Sequence, residues 1–575
     1  MARRGAAVHV VTTRRSYKGR VYETTLLRRT FREGGKVRNE TVGNLSHLPA
    51  ETIELVRRSL RGERFLATAE SFEVERSLPH GHVAAVLAMA RSLELARLLD
   101  REPSPERARV LAMVVSQLLS PGSKLACTRA LSQSTLAEEL SLEDVDADDL
   151  YAALDWLSAR QQAIERRLAR RHLAEGSHVL YDVSSSYFEG RTCPLLALGY
   201  SRDRRRGSLQ IIYGLLCDAE GRPVAIEVFP GGLHDDKTLP AQIEKLRKRF
   251  GLTTLVVVAD RGMVTRANLE ALAAEQGVGW ITALKAPQVK KLVKEGSLQL
   301  SLFDEANLAE IESADYPGER LLVCRNPLVA AERARKRQDL LCATEATLAP
   351  IKERVDAGSL SGAAAIALAV GQVINRRKMK KHFELQIEDD RFDYQRKQEQ
   401  IDEEAALDGF YVLRTNVPAD DLAAAEVVRS YKQLAHAERA FRTLKGPELE
   451  IRPIRHRLEQ RVRAHAFLCM LAYYLEWHLR KAWAELLFVD EQPLLADDPV
   501  AKAKRSASAQ RKASTKRTAA GEICHSFISL LAELALIVRD TNRITDTGAT
   551  FSKVTRPNAT QARALERAGV SPARL

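Results

Sequence analysis

Gly176-Ser-His178-Val-Leu-Tyr-Asp182-Val and Thr253-Thr-Leu-Val-Val-Val-Ala-Asp260 decide the fold of this chain. Both are short apolar runs that arrive at an aspartate, and the second is apolar on both faces, as a strand buried within a sheet is. Between them lie Ser208-Leu-Gln-Ile-Ile-Tyr-Gly-Leu-Leu-Cys-Asp218 and Pro223-Val-Ala-Ile-Glu-Val-Phe229, joined as a hairpin by the Asp218-Ala-Glu-Gly221 turn. A crossover helix over 239–250, with Thr238 as its cap, leads to the second run. A helix over 265–276 and a strand at Trp280-Ile-Thr-Ala-Leu284 follow it. This order is a three-stranded meander continued by α/β crossovers, an α/β class of fold.

A carboxylate at the end of a buried strand lies at the sheet edge, where such sheets bind ligands. For either aspartate alone, a turn or cap residue explains the position equally well. The pair is more telling. If the two strands are neighbours the carboxylates converge, and charges about 4 Å apart repel by roughly 4 kcal/mol at an effective dielectric near 20. Such a pair needs a shared proton or a cation, and a hard divalent ion, Mg²⁺ or Mn²⁺, suits oxygen donors.

Residues 421–444 read as a long helix stopped by Gly446-Pro447. Tyr431, Glu438 and Lys445 are seven apart, and a helix drifts only about 20° per heptad, so they share one face. A tyrosine, an acid and a lysine in a row suit a surface that holds a metal and a phosphate backbone. An exposed helix with a Glu438–Arg442 ion pair accounts for the spacing as well.

The chain has 575 residues, more than one core can hold. Residues 1–78 alternate like an antiparallel sheet, then form a short helix from Thr52. Residues 79–176 are helical, and two readings stand for them: a bundle that packs and spaces, or a DNA-end-binding domain. Residues 177–286 are the first part of the core. From 287 to 406 the pattern loosens into helices near 330–357 and 362–379 and a hairpin around Asp389-Asp390, an inserted domain. Residues 407–486 return to the core, with a strand at Gly409-Phe-Tyr-Val-Leu-Arg-Thr415. Residues 487–575 are a basic linker and a C-terminal helix over 527–538. The linker reading rests on Lys502, Lys504, Arg505, Arg511, Lys512, Lys516 and Arg517, which no acid interrupts.

The net charge is +13, which points to a polyanionic partner, nucleic acid being the commonest. Arg452, Arg455, Arg457, Arg461 and Arg463 follow Glu438 closely, as a DNA backbone approaching an acidic site requires. No apolar run is long enough for a membrane span or a signal core, so no membrane partner and a cytoplasmic location are expected. The seven cysteines are scattered, without zinc-ribbon or redox spacing, which suits a reducing compartment.

These segments resemble the insertion-sequence transposases of the DDE superfamily, and best the subgroup with a Tyr-x2-Arg-x3-Glu-x6-Lys helix. Here Tyr431-Lys-Gln-Leu434-Ala-His-Ala-Glu438-Arg-Ala-Phe-Arg442-Thr-Leu-Lys445 keeps Tyr, Glu and Lys in register, with Leu434 in the Arg position. Tyr181-Asp182-Val-Ser-Ser-Ser, Val258-Ala-Asp260-Arg-Gly-Met and Gly199-Tyr-Ser-Arg-Asp203-Arg with Gln210 resemble the family's other core segments. Ser120-Pro-Gly-Ser-Lys-Leu-Ala and Phe31-Arg-Glu-Gly-Gly-Lys-Val resemble one branch of it.

The resemblance implies an RNase H-like mixed sheet flanked by helices, with the first and fourth strands adjacent and an inserted domain before the Glu. It implies Asp182, Asp260 and Glu438 as catalytic and metal-binding residues, with Asp182 bridging two Mg²⁺ or Mn²⁺ ions. The reaction would be cleavage of double-stranded DNA at element ends and transfer of the 3′-OH into target DNA. Tyr431, Lys445, Arg261, Arg442, Arg202 and Arg204 would bind DNA, although a loop salt bridge serves Arg261 equally well. A homodimer in the active DNA complex and association with the nucleoid complete the expectation. The alternatives are a nuclease with the same core that cuts without joining, and a catalytically decayed DNA-binding derivative, against which the intact triad argues.

Overall fold

The computed structural model describes residues 7–575 apart from 64, 66–70, 143, 204, 206, 266–267, 270–271, 273–275, 300–302, 304–306 and 494–497. They fall into two compact units, residues 1–77 with 539–554, and residues 78–538 with 555–575.

In the first unit β1 (Val8–Tyr17), β2 (Arg20–Glu33) and β3 (Lys36–Asn44) form an antiparallel sheet. Its turns fall at Lys18-Gly19 and Gly34-Gly35, all with positive φ. The helix α1 (Ala50–Leu60) follows. The strand β4 (Phe72–Pro79) joins a separate three-stranded sheet with the hairpin Val538–Ile544/Thr550–Val554. The β-rich unit expected over 1–78 thus takes two strands from near the C-terminus.

The second unit opens with α2 (Gly81–Ser92), α3 (Pro105–Leu119), α4 (Lys124–Ser132) and α5 (Ala147–His172). Their starts are written in the sequence. Ser104 accepts from the Arg107 amide ahead of Pro105, Ser123 from that of Ala126, and Asp146 and Asp149 form a capping box. Ser120-Pro121-Gly122 separates α3 from α4 by denying the helix an amide and adding a flexible residue.

The meander β5 (Ser177–Tyr187), β6 (Gln210–Asp218) and β7 (Pro223–Pro230) follows. Gly214 of β6 is required, because a Cβ there would overlap the ring of Tyr181. The crossover helix α6 (Leu239–Glu244) passes into a π-helical turn, Lys245–Arg249. Thr238 does not cap it; its hydroxyl instead donates to the Asp235 carbonyl at 2.6 Å. Then come β8 (Leu255–Ala259), β9 (Val278–Ala283), β10 (Leu308–Ile311) and β11 (Arg320–Arg325). The helix expected over 265–276 lies largely outside the described residues.

After β11 the chain leaves the sheet as α7 (Pro327–Asp356), α8 (Ala363–Arg377), the hairpin β12 (Phe383–Ile387) and β13 (Phe392–Arg396), and α9 (Gln398–Ala405). Leu348, Ile366, Val370 and Phe392 lead a core of its own. It returns as β14 (Phe410–Thr415), antiparallel to β11, with Arg325 opposite Phe410. At this neck the Asn326 amide donates to the Gly409 carbonyl at 2.9 Å. The stretch 287–406 is therefore not one insertion. Its strands β10 and β11 extend the sheet, and only 327–405 departs from it.

The eight strands lie in the order β10-β11-β14-β9-β8-β5-β6-β7, a mixed sheet of the expected α/β class in which the β5–β8 and β8–β9 pairs are parallel. The last core elements are α10 (Ala424–Lys432), α11 (Leu434–Lys445) and α12 (Glu459–Ala482), then α13 (Phe527–Ala535) near the end. α12 packs on α5, α3 and β7 and is buried along most of its length. Among the described residues no single helix is long and apolar enough to cross a membrane. All seven cysteines are free thiols.

Candidate active site

Tyr181 is in register with Ala259, so Asp182 and Asp260 come next on neighbouring parallel strands. Strands in a sheet lie about 4.8 Å apart, which brings the two carboxylates to one place. β8 ends at Ala259, and Asp260 opens a turn, its carbonyl accepting from the Met263 amide at 3.0 Å. β5 by contrast runs on along β6 to Tyr187. Asp182 is therefore a half-buried mid-strand residue beside the point where its neighbour stops, not the strand-end residue expected.

The Asp182 carboxyl is pushed up to about 7, first by burial and then by the Asp260 and Glu438 carboxylates. The Val183 amide, 2.8 Å away, and Arg202 oppose this without offsetting it. Glu438 reaches the site from α11, which packs on β5.

The helix that carries Glu438 is not continuous with the one that carries Tyr431. Gln433 separates them as a turn residue, its amide closing α10 on the Arg429 and Ser430 carbonyls at 3.2 and 3.1 Å. Tyr431 still meets the acids. Burial first, then Asp260, Glu438 and Asp182, hold its phenol above the ordinary range, with Arg261 opposing. Tyr431 is thus a protonated donor beside three carboxylates. Leu434, in the Arg position of the helix motif, is buried and packs as a core residue.

The remaining expected residues divide. Lys445 does not face outward: its Nζ lies 3.0 Å from Asp203 Oδ1 and over the Tyr213 ring. Arg452 pairs with the same carboxylate, and the Tyr187 amide donates to it at 3.1 Å. Burial raises the Asp203 carboxyl, but Lys445 and Arg452 outweigh it and hold it low. Arg202 pairs with Asp235, and its amide donates to Ser185 Oγ at 3.1 Å. Arg261 and Arg442 are exposed, and among the described residues Arg442 makes no ion pair with Glu438. Arg204 lies outside the described residues. Asp203 is the residue whose role the sequence reading missed. Its partner lies 242 positions away, and only its place in the Gly199–Arg204 segment hinted at it.

Beside the acids, Tyr200, Arg202, Asp235, Gly262, Thr265 and Lys285 line a cleft of about 560 Å³. Gly231 lets its wall close, because a Cβ there would strike the Gln210 carbonyl. Among the described residues no group of three or more His, Cys, Asp or Glu stands ready-made for a metal ion. The donor chemistry nevertheless fits a hard divalent cation: three carboxylates repel one another at Asp182, whereas Asp203 and Asp235 already have cationic partners.

The sequence family described as Transposase DDE domain matches residues 177–475, more than half of the chain and the span from β5 into α12. The family described as IS1634 family transposase, N-terminal domain, matches residues 10–71. The chain belongs to the DDE transposases of insertion sequences, enzymes that act on DNA. No curated protein matches it. A solved structure, the cryo-EM piggyBac transposase synaptic complex with hairpin DNA, aligns over 79% of this chain and 76% of that one. The identity is 9% and the TM-score 0.34.

Proposed function

We propose that Asp182, Asp260 and Glu438 are the catalytic triad of this transposase, cutting DNA at element ends and joining the freed 3′-OH to target DNA. The observation that carries this is the register of β5 and β8, which sets two acids side by side, with Glu438 felt at Asp182. In the first step a water oxygen attacks the phosphorus and the bond to the 3′ oxygen breaks, freeing a 3′-OH. In the second step that 3′-OH attacks a target phosphodiester and displaces its 3′ oxygen.

Mg²⁺ or Mn²⁺, two ions bound by the three carboxylates, would activate the attacking oxygen and stabilise the leaving one. Asp182 must be ionised to hold a cation. Tyr431, kept protonated, donates to a phosphate oxygen, and Arg261 supplies charge beside it. Arg202, fixed by Asp235, lines the cleft along which the strand enters. Lys445 acts as a positioning residue, holding α11 to Asp203. We read 327–405 as the inserted domain and a homodimer as the active assembly, since two element ends meet.

The test replaces Asp182, Asp260 and Glu438 singly by Ala and measures Mg²⁺-dependent cutting of DNA bearing the element's inverted repeats. All three variants should bind DNA and fail to cut, and cutting by any one overturns the triad. A pre-cut end with a free 3′-OH distinguishes a transposase, which joins it, from a nuclease, which does not.

A further inference from the structure

A groove of about 640 Å³ lies between the short helical segment Leu95–Leu99 and the last turns of α5. Its walls carry Arg97, Arg101, Arg166, Arg167, Arg170 and Arg171. The pairs 166/170 and 167/171 are four apart, so α5 presents them on one side, where like charges destabilise a helix. One acid, Glu94, joins the wall; it lies 3.3 Å from Arg97 and 4.0 Å from Arg171.

The other contacts neutralise nothing. Arg167 donates to the Leu98 and Leu99 carbonyls at 2.9 and 3.1 Å, Arg171 to Leu93 at 2.7 Å, and Arg166 to Arg249 at 3.2 Å. These bonds fix the guanidiniums without cancelling their charge. Among the described residues Arg101, Arg166, Arg167 and Arg170 pair with no carboxylate. A bundle needs no such surplus for packing; a polyanion entering the groove would relieve it.

The groove is also away from the acids. α5 ends at His172, just ahead of Ser177 where β5 begins, and Arg249 precedes the start of β8, whose far end leads into Asp260. From Ser177 to Asp182 a strand covers about 17 Å. We infer that the groove holds the phosphodiester backbone of DNA beyond the phosphates at the acids, either a second duplex or the distal part of the same one. This rests on the chain's being a DNA transposase and goes beyond the triad.

The test uses the full chain with Arg101→Glu, Arg166→Glu and Arg170→Glu combined, titrated with a fluorescein-labelled 40-bp duplex of arbitrary sequence. Affinity should fall at least tenfold, and the slope of log K against log salt should flatten by about 2 to 3, since each phosphate contact contributes about 0.9. An equal charge change at three scattered surface positions, Lys294→Glu, Lys380→Glu and Arg511→Glu, should leave the slope unchanged.

If both triple variants behave alike, the groove is not a DNA site. Arg101→Gln with Arg170→Gln, a milder pair that preserves the fold, should give a partial flattening, and an unchanged slope there overturns the proposal too. A 15-bp duplex separates the two sources. Two bound per wild-type chain and one per groove variant means a second duplex. One bound in both, with only the 40-bp duplex weakened, means the distal part of the same one. Asp182→Ala should keep affinity and slope, so failure of the triad and failure of the groove are read separately.

Discussion

Asp182 and Asp260 are held differently from Glu438. The first two sit on parallel strands whose ladder, from Ser177–Leu255 to Tyr181–Ala259, sets their spacing through the backbone itself. Glu438 sits on α11, held by the side chain of its last residue, Lys445, and by that of Lys432, just before its start. At one end Lys432, at the close of α10, donates to the Pro499, Val500 and Ala501 carbonyls at 2.6, 2.9 and 2.6 Å. At the other, Lys445 grips Asp203, while the Phe441 ring packs 5.6 Å from that of Tyr213. A backbone ladder changes as a whole or not at all, whereas each of these side-chain holds can be lost singly. The third acid is therefore the adjustable member of the site.

The largest expected effect tests this contrast directly. Asp260→Glu lengthens an acid on a fixed strand, and Glu438→Asp shortens one on a helix that can shift. Mg²⁺-dependent cleavage should fall roughly 10³-fold or more in the first, the scale on which transition-state charge stabilisation is lost. The second should keep about a tenth of the wild-type rate. Equal losses would show that α11 is as rigid as the sheet.

Next in size is the hold on α11. Asp203→Ala leaves Lys445 and Arg452, each mostly buried, without their acid. Breaking such a pair from one side costs about 3 kcal/mol, readable as a lowered urea midpoint, with cleavage falling as Glu438 drifts. Lys445→Met should weaken cleavage yet leave the salt dependence of DNA binding unchanged. A slope reduced by about 0.9 would instead make Lys445 a phosphate contact.

The same division decides what could be read in advance. The two sheet acids were legible because each ends a run of apolar residues, and the hairpin turn and crossover between them have local signals. The break at Gln433 was not, since neither Gly nor Pro marks it and the heptad runs through it. β10 and β11 read as part of an insertion because strands this short gain identity only by pairing, β10 with β11 and β11 with β14. Lys512 looked like one charge of a flexible linker. It is buried in the helix Ala507–Thr515, donating to the Ala484 carbonyl at 2.7 Å and pairing with Glu491. The hairpin 538–554 gave no sign of pairing with β4, more than 450 residues earlier. The break at Gln433 is local but unmarked; what the other cases share is a contact with a segment outside the one being read.

A smaller effect concerns the other hold on the helix pair. Lys432→Met removes three hydrogen bonds to carbonyls and should cost about 1–2 kcal/mol. Because those carbonyls belong to 499–501, the first sign should be faster proteolysis near residues 487–506, before any change in the sheet. Unchanged proteolysis would mean that this segment is held by other contacts.

The smallest effect has the opposite sign, and it separates the fixed pair from the rest of the fold. In the folded protein the Asp182 carboxyl is raised to about 7, so the fold favours its protonated form. Stability from this group is then present below the unfolded value near 4 and is lost as pH rises to about 7. Asp182→Asn cannot ionise and escapes that loss. It should match wild type near pH 4 and exceed it above pH 7 by about 1 kcal/mol, allowing for the screening that water gives a half-buried carboxylate. Without metal, its unfolding midpoint at pH 8 should be a few degrees higher, although it cannot cut DNA. Millimolar Mg²⁺ should narrow the gap by stabilising wild type more, because it holds three carboxylates for the cation where the variant keeps two. A gap that persists unchanged in Mg²⁺ would mean that Asp182 is strained by burial alone, and that the in-register acids are not a metal site.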